Sequence, residues 1–247
     1  MARGDDDHAW TQVDALADEV AALGVAAGLP YLAAQSDLGD PGAMADRDGR
    51  PFAARFRWIA RDADYWRNRR LALEATLLHA ARLIAEPFWY REGRVGTWRA
   101  TRLLDGVDLA QVTPRTGVAA AIVAPVHLPG GRLGAVVWAD EVPGDVAAVF
   151  AARGGEMYAA ATRFLAAHAE WSAPRHRAPL QQLSAREAQC VRWAAAGKTN
   201  AEIGTILTLS VSTVRFHLRN AAEKLGAATR ARMIQLATGH GFVGTLG

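Results

Sequence analysis

Apolar residues change their spacing several times along this chain, and each change marks an element. Trp10, Val13, Leu16, Val20 and Leu23 recur at helical intervals and trace one face of an opening helix. Arg55-Phe-Arg-Trp-Ile-Ala60 suits a strand, and Asp62 to about Ala85 reads as a long helix. Val118 to Leu128 and Leu133 to Trp138 are almost continuously apolar and are separated by Pro129-Gly130-Gly131, which predicts a hairpin. Strands apolar on both faces need cover on both sides, by a helix pack on one and a cavity or second helix layer on the other. Met157, Ala161, Phe164, Leu165 and His168 return to helical spacing. That pattern stops at Ser172-Ala-Pro-Arg-His-Arg-Ala-Pro179, where two prolines among small and charged residues mark a linker.

Beyond the linker the pattern divides into four short helices. Ser184 with Glu187 resembles a capping box and starts a helix that runs to about Ala196, where Gly197 ends it. Thr199 can cap a second helix from Asn200 to Leu207, and Thr208-Leu209-Ser210 makes a tight break. In the third helix Val211, Val214, Leu218, Ala221 and Leu225 form one apolar stripe. Gly226 ends it, and Thr229 opens a fourth helix with Met233, Ile234 and Ala237 on its buried side. A short helix, a break and a second helix with one apolar and one polar face is the layout of a helix-turn-helix.

Charge sharpens this division. From Leu180 onward there are 8 Lys or Arg against 3 Asp or Glu, although the 247-residue chain as a whole carries only +3. The body before Leu180 is therefore slightly acidic, and dense positive charge on the tail alone points to a polyanion partner. Opposite the apolar stripe stand Ser212, Thr213, Arg215, Phe216, Arg219, Asn220 and Glu223. Arg215 and Arg219 lie one helical turn apart and could both reach base edges in a major groove. Thr199, Asn200, Thr213 and Lys224 are placed near helix ends as phosphate anchors.

These residues resemble a known family. Leu183-Ser-Ala-Arg-Glu187, Ala195-Ala-Gly197-Lys-Thr-Asn-Ala-Glu-Ile203, Leu209-Ser-Val-Ser-Thr-Val-Arg-Phe-His-Leu218 and Lys224-Leu-Gly226 are similar, in that order, to the four-helix DNA-binding domain of the LuxR family. The resemblance implies that Glu187 and Gly197 are structural, that Arg215 and Arg219 read bases, and that the fourth helix helps a homodimer form. Two such domains would bind double-stranded DNA at an inverted repeat with half-sites about one turn apart. RNA polymerase is a further candidate partner.

Many proteins with such a tail carry a phosphoacceptor receiver domain, which requires an active-site lysine. Both lysines of this chain, Lys198 and Lys224, lie in the tail. The N-terminal elements instead predict an α-β-α sandwich and resemble the autoinducer-binding domain of quorum-sensing regulators, which holds acyl-homoserine lactones between its sheet and a helix layer. In that family a Tyr lines the pocket, an Asp accepts the ligand amide N–H and a Trp donates to the lactone carbonyl. Counting from Tyr65 puts Glu74 at the Asp position and Trp89 at the Trp position. Arg61 falls where the family has a Trp, with Trp58 one turn earlier, and Val137 falls where a Ser or Thr is frequent. The implied ligand site is thus Trp58, Arg61, Tyr65, Glu74, Trp89 and Val137, with its polar anchor altered because Glu is one methylene longer than Asp. Glu74 beside Arg69, Arg70 and Arg82 equally suits a surface ion pair.

The organisation expected is an α/β sensor domain over residues 1–171, a linker over 172–179 and an all-α helix-turn-helix domain over 180–247. The function expected is ligand-responsive transcriptional regulation, the signal being a lactone or a related apolar or aromatic molecule, with a ligand-independent regulator or a heterodimerising antagonist as alternatives. Catalysis, cofactors and metals are not expected. Cys190 is the single cysteine, so no disulfide framework forms within one chain, and His79 and His127 lack partners at metal-ligand spacing. The absence of a long apolar run and the acidic Asp5-Asp6-Asp7 suggest a cytoplasmic protein without a membrane span.

Overall fold

The computed structural model describes residues 2–40, 42–59, 75–172 and 182–244. The chain divides into two compact units, one holding the strands and the other the C-terminal helices. Each is described by itself.

In the first unit, α1 (Ala2–Ala26) leads into β1 (Tyr31–Gln35). Further along the chain come α2 (Thr76–Leu83), β2 (Phe88–Arg91) and β3 (Arg94–Thr97). A short helix α3 (Val112–Thr116) precedes the long hairpin of β4 (Ala120–Leu128) and β5 (Arg132–Asp140), and α4 (Val146–Trp171) closes the unit. The strands form one sheet in the order β1-β5-β4-β2-β3, with every neighbouring pair antiparallel. The hairpin closes as its sequence requires, because Gly130 and Gly131 both take positive φ, 83° and 74°. Asp145 starts α4 by accepting the Ala148 N–H at 3.3 Å.

Strand alternation divides the sheet residues between two cores. Leu32, Ala34, Ile122, Ala124, Val126, Val136 and Trp138 pack against α1 and α4, meeting Val13, Val20, Phe150, Phe164 and Leu165. Tyr31, Ala33, Phe88, Tyr90, Ala121, Val123, Ala135, Val137 and Ala139 face the other way, toward Leu77, Leu78, Ala81 and Val112. Helices therefore cover both faces, the α-β-α sandwich that the doubly apolar hairpin demands. Trp138 is fully buried, and its Nε1 donates to the Val20 carbonyl at 2.8 Å. Gly24 makes the room, since a Cβ there would come within 2.5 Å of the indole.

One expectation needs revision, and another falls mostly outside the described residues. Arg55 to Ile59 is not a strand: a short 3-10 turn at Phe52–Ala54 leads into bends and irregular backbone. The segment runs beside β1 through the Leu32 N–H, which donates to the Arg57 carbonyl at 2.8 Å, but no ladder continues from it. Of the long helix expected from Asp62 to Ala85, residues 62–74 lie outside the described residues, and the described helix is Thr76–Leu83.

The second unit contains α5 (Ala185–Ala195), α6 (Asn200–Leu207), α7 (Val211–Lys224) and α8 (Arg230–Gly239). Ser184 and Thr199 each form the reciprocal capping box with Glu187 and Glu202, and Ser210 and Thr229 cap the helices after them. Thr208 takes the left-handed conformation, φ 55°, to turn the chain between α6 and α7. Gly204 lets the turn fold back tightly: the Leu209 N–H donates to its carbonyl at 2.8 Å, and a Cβ on it would lie 2.7 Å from the Leu209 oxygen. Cys190, Val191, Ile203, Val214, Leu218, Ala221, Leu225, Met233 and Ala237 make the core, Cys190 being buried as a small apolar group.

Candidate functional site

The apolar stripe of α7 orients its opposite face. With Val214, Leu218 and Ala221 buried, Ser212, Arg215, Phe216 and Arg219 are exposed, while Thr213 and Asn220 are half-buried. The Thr213 N–H donates to Ser210 Oγ at 3.1 Å, and the hydroxyls of Ser212 and Thr213 each lie 2.7 Å from that same oxygen. Arg219 carries a loose contact to Glu223, 3.9 Å between Nε and Oε1, with both side chains more than half exposed. Such a pair contributes little stability in water, so the guanidinium can exchange it for another partner.

The residues expected to anchor phosphates are committed inside the unit to different degrees. Lys224 Nζ donates to Glu187 Oε2 at 2.7 Å, and the Glu187 side chain is only 5% exposed. Burial would raise the Glu187 carboxyl, but the hydrogen bonds from Lys224 and Ser184 outweigh it and hold the group below its ordinary range. The pair ties the end of α7 to the start of α5, so Lys224 is better described as an internal strut than as a phosphate anchor. Thr199 is occupied as the α6 cap, accepting the Glu202 N–H at 3.3 Å and donating to Glu202 Oε2 at 2.8 Å. Asn200 Oδ1 accepts from Arg230 Nη1 at 2.8 Å, and Arg230 also donates to the Lys198 carbonyl at 2.6 Å. Arg230, overlooked in the sequence, is what joins the α8 start to the loop before α6.

In the first unit a cavity of about 80 Å³ opens between the sheet and the α2–α3 layer. Ala33, Ala135 and Val137 form its floor, and Leu38, Trp58, Leu77, Leu78, Val112 and Val118 its walls. Thr76, Gln111, Arg115 and Thr116 add polar groups, of which Gln111 and Arg115 are exposed. The floor is deep because this face carries alanines, at 33 and 135, where the opposite face carries Leu32, Val136 and Trp138. Just below it, Tyr90 is fully buried with its hydroxyl 2.8 Å from Thr113 Oγ1, which in turn donates to the Val118 carbonyl at 2.7 Å.

The structure separates the residues expected to share a ligand. Trp58 and Val137 line the cavity. Arg61, Tyr65 and Glu74 lie outside the described residues. Trp89 lies on the other face of the sheet: it pairs with Ile122 on β4 and packs with the α1–α4 core. Its ring lies against Gly96 of β3, where a Cβ would come within 2.5 Å of the indole. A strand repeats every two residues, so Phe88 and Tyr90 turn toward the cavity layer and Trp89 cannot. Spacing along the chain matched the family's Trp, but pairing with β4 decided the face.

A second buried polar group sits on the filled side. His168 of α4 reaches Ser36 Oγ through Nδ1 and the Ala45 carbonyl through Nε2, each at 3.0 Å. A carbonyl only accepts, so Nε2 carries the proton and Nδ1 accepts from the serine hydroxyl. Burial lowers the imidazole's affinity for a second proton; the Ala45 bond opposes this and Arg132 adds to it. Among the described residues no group of three or more His, Cys, Asp or Glu could hold a metal ion. No described helix is long and apolar enough to cross a membrane.

The second unit is thus a four-helix helix-turn-helix module with two arginines and an aromatic ring on its outward face. Residues 181–237 match the family described as bacterial regulatory proteins, luxR family, and so constitute a LuxR-family domain. Over 65 residues the chain is 48% identical to the transcriptional activator protein VanR of Vibrio anguillarum, covering 26% of this chain and 27% of that protein. Over 65 residues it is 38% identical to the regulatory protein SdiA of Escherichia coli, covering 26% of this chain and 27% of SdiA. The match spans about a quarter of the length of these curated relatives. The crystal structure of Escherichia coli SdiA is similar at a TM-score of 0.35 and 17% identity, over 70% of this chain and 92% of that one. The relatives are transcriptional regulators rather than enzymes.

Proposed function

We propose that this chain is a transcriptional regulator that binds double-stranded DNA as a homodimer through α7 and responds to a small molecule held in the sandwich cavity. The outward display of Arg215 and Arg219 from a capped helix in a basic module carries the DNA-binding reading. Their guanidiniums stand one turn apart, a spacing suited to the edges of neighbouring base pairs, and each bidentate contact with guanine is worth about 1–3 kcal/mol of discrimination. Ser212, Thr213 and Asn220 border that pair, where hydroxyl and amide groups meet phosphates or base edges.

The cavity supports the sensing half of the reading. Its apolar floor and walls suit an acyl or aromatic group, and the polar side chains at Gln111 and Arg115 suit a carbonyl-bearing head such as that of an acyl-homoserine lactone. Trp58 and Val137 are assigned to the wall and floor of this site. A signal that binds one packing of the sandwich better than another shifts the population toward it, which is how occupancy would reach the DNA-binding module.

The test is titration of the full chain against duplexes selected from a random pool, at fixed salt, comparing wild type with Arg215→Ala and Arg219→Ala. Each variant is expected to lose about ten-fold or more in affinity for the selected duplex, with its thermal midpoint unchanged. Full retention of affinity by both variants would remove α7 as the reading element.

A further inference from the structure

Two large apolar residues of α7 stand exposed: Val211 at its first position, 39% exposed although its spacing put it in the apolar stripe, and Phe216 in mid-helix. At about 100° per residue, Val214, Leu218, Ala221 and Leu225 share the direction of the core, and Phe216 stands on the opposite side of the helix. It is 50% exposed, its ring meeting His217 at 5.6 Å between centroids and the Arg219 guanidinium at 5.8 Å. A ring aimed away from its own core adds little to folding. Large apolar area left in water on an otherwise polar face is the mark of a surface used for binding. Charge says what the partner is. Arg215 and Arg219 flank the ring on a module with five more basic than acidic groups, so the occupant is a polyanion.

A DNA major groove offers one apolar feature on its floor, the 5-methyl group of thymine. We propose that Phe216 is a specificity-determining residue that takes this methyl against its ring, at a base pair adjoining those faced by Arg215 and Arg219. The same ring positions Arg219: a guanidinium within about 6 Å of an aromatic centroid is attracted to the ring, which limits the directions the arginine samples before it meets its base. The half-site then contains a T·A pair beside the pairs that the arginines read. This rests on α7 being the DNA-reading helix, as proposed above.

The experiment uses the full chain and the duplex it enriches from a random pool. One thymine position is expected to matter through its methyl. Replacing that thymine by deoxyuridine should weaken wild-type binding about four-fold, the effect of leaving one methyl unburied. Phe216→Ala should bind the thymine and deoxyuridine duplexes equally and lose the base preference at that position, while Phe216→Leu restores the methyl effect. An unchanged thermal midpoint for Phe216→Ala shows that the module still folds. If Arg215→Ala erases the enriched motif but Phe216→Ala keeps every preference and every deoxyuridine effect, Phe216 is not a reader and α7 still is. If neither variant changes the motif, or wild type enriches none, both assignments fall.

Discussion

On β5, Val136 and Trp138 turn toward α1 and α4, while Ala135, Val137 and Ala139 turn toward α2 and α3. The first set meets long aliphatic and aromatic side chains from two helices of more than twenty residues, α1 and α4, and leaves little space. Among the described residues the second meets Leu77, Leu78, Ala81 and Val112 of an eight-residue and a five-residue helix, and a cavity lies there. One sheet thus has a filled face and, among the described residues, a face that borders a cavity. The lesson is that the two faces of one sheet can be filled differently: long side chains close one to the near-crystalline density of packed interiors, while Ala33 and Ala135 border a cavity on the other.

The filled face should be the more fragile. Trp138→Ala removes a fully buried indole and its bond to the Val20 carbonyl, and is expected to cost about 3–5 kcal/mol. Denaturant unfolding of the full chain, followed by the signal of the first unit, checks it; a loss below about 1 kcal/mol would mean that this face is looser than its contacts imply.

His168 adds a pH dependence to the same face. Its folded-state proton affinity is depressed, so below the ordinary histidine range, about 6.5, the unfolded chain binds the extra proton more readily. Stability from this group is complete above that value and declines as pH falls through it toward the folded-state pKa. Thermal midpoints of wild type and His168→Gln between pH 7.5 and 5 give the test, with wild type expected to fall more steeply. The Glu187–Lys224 pair titrates in a different window. Its depressed carboxyl keeps its stabilising effect above about pH 4.3 and loses it only in stronger acid. The two units should therefore soften in sequence on acidification, the sandwich first.

The smallest change in stability, and the most informative, belongs to the open face. Ala135→Leu places its added carbons in the cavity and is expected to shift stability by less than about 1.5 kcal/mol. It should also abolish any rise in thermal midpoint that wild type shows with acyl-homoserine lactones of graded chain length. An equal rise in the variant would move the ligand elsewhere.

The opening helix, the hairpin, α4 and the four tail helices were legible because each repeats its apolar residues long enough to show a period, and because Ser184, Thr199, Gly197 and Gly226 punctuate them. The other strands were not. β1 is five residues with no polar alternation, and β2 and β3 are four residues each, too short for a period to emerge from the aromatic and arginine-rich stretch that holds them. Arg55 to Ile59 imitated a strand with its interleaved arginines and aromatic or aliphatic residues, and its backbone touches β1 through one hydrogen bond. The cavity itself had no signature, since Ala33, Ala135, Leu77 and Val112 are ordinary core residues until the four elements that carry them converge.

By itself the sequence determined the helix-turn-helix and its outward residues, because a helix writes its faces into local spacing and its ends into caps. It also determined that the hairpin needs cover on both sides. Only the tertiary structure decided which sheet residues share a chamber: Trp89, though matched by spacing, turns to the filled face because its partner on β4 is Ile122. It likewise decided that Lys224 pairs with Glu187. Register and burial arise from contacts between residues far apart in the chain, and no local period records them.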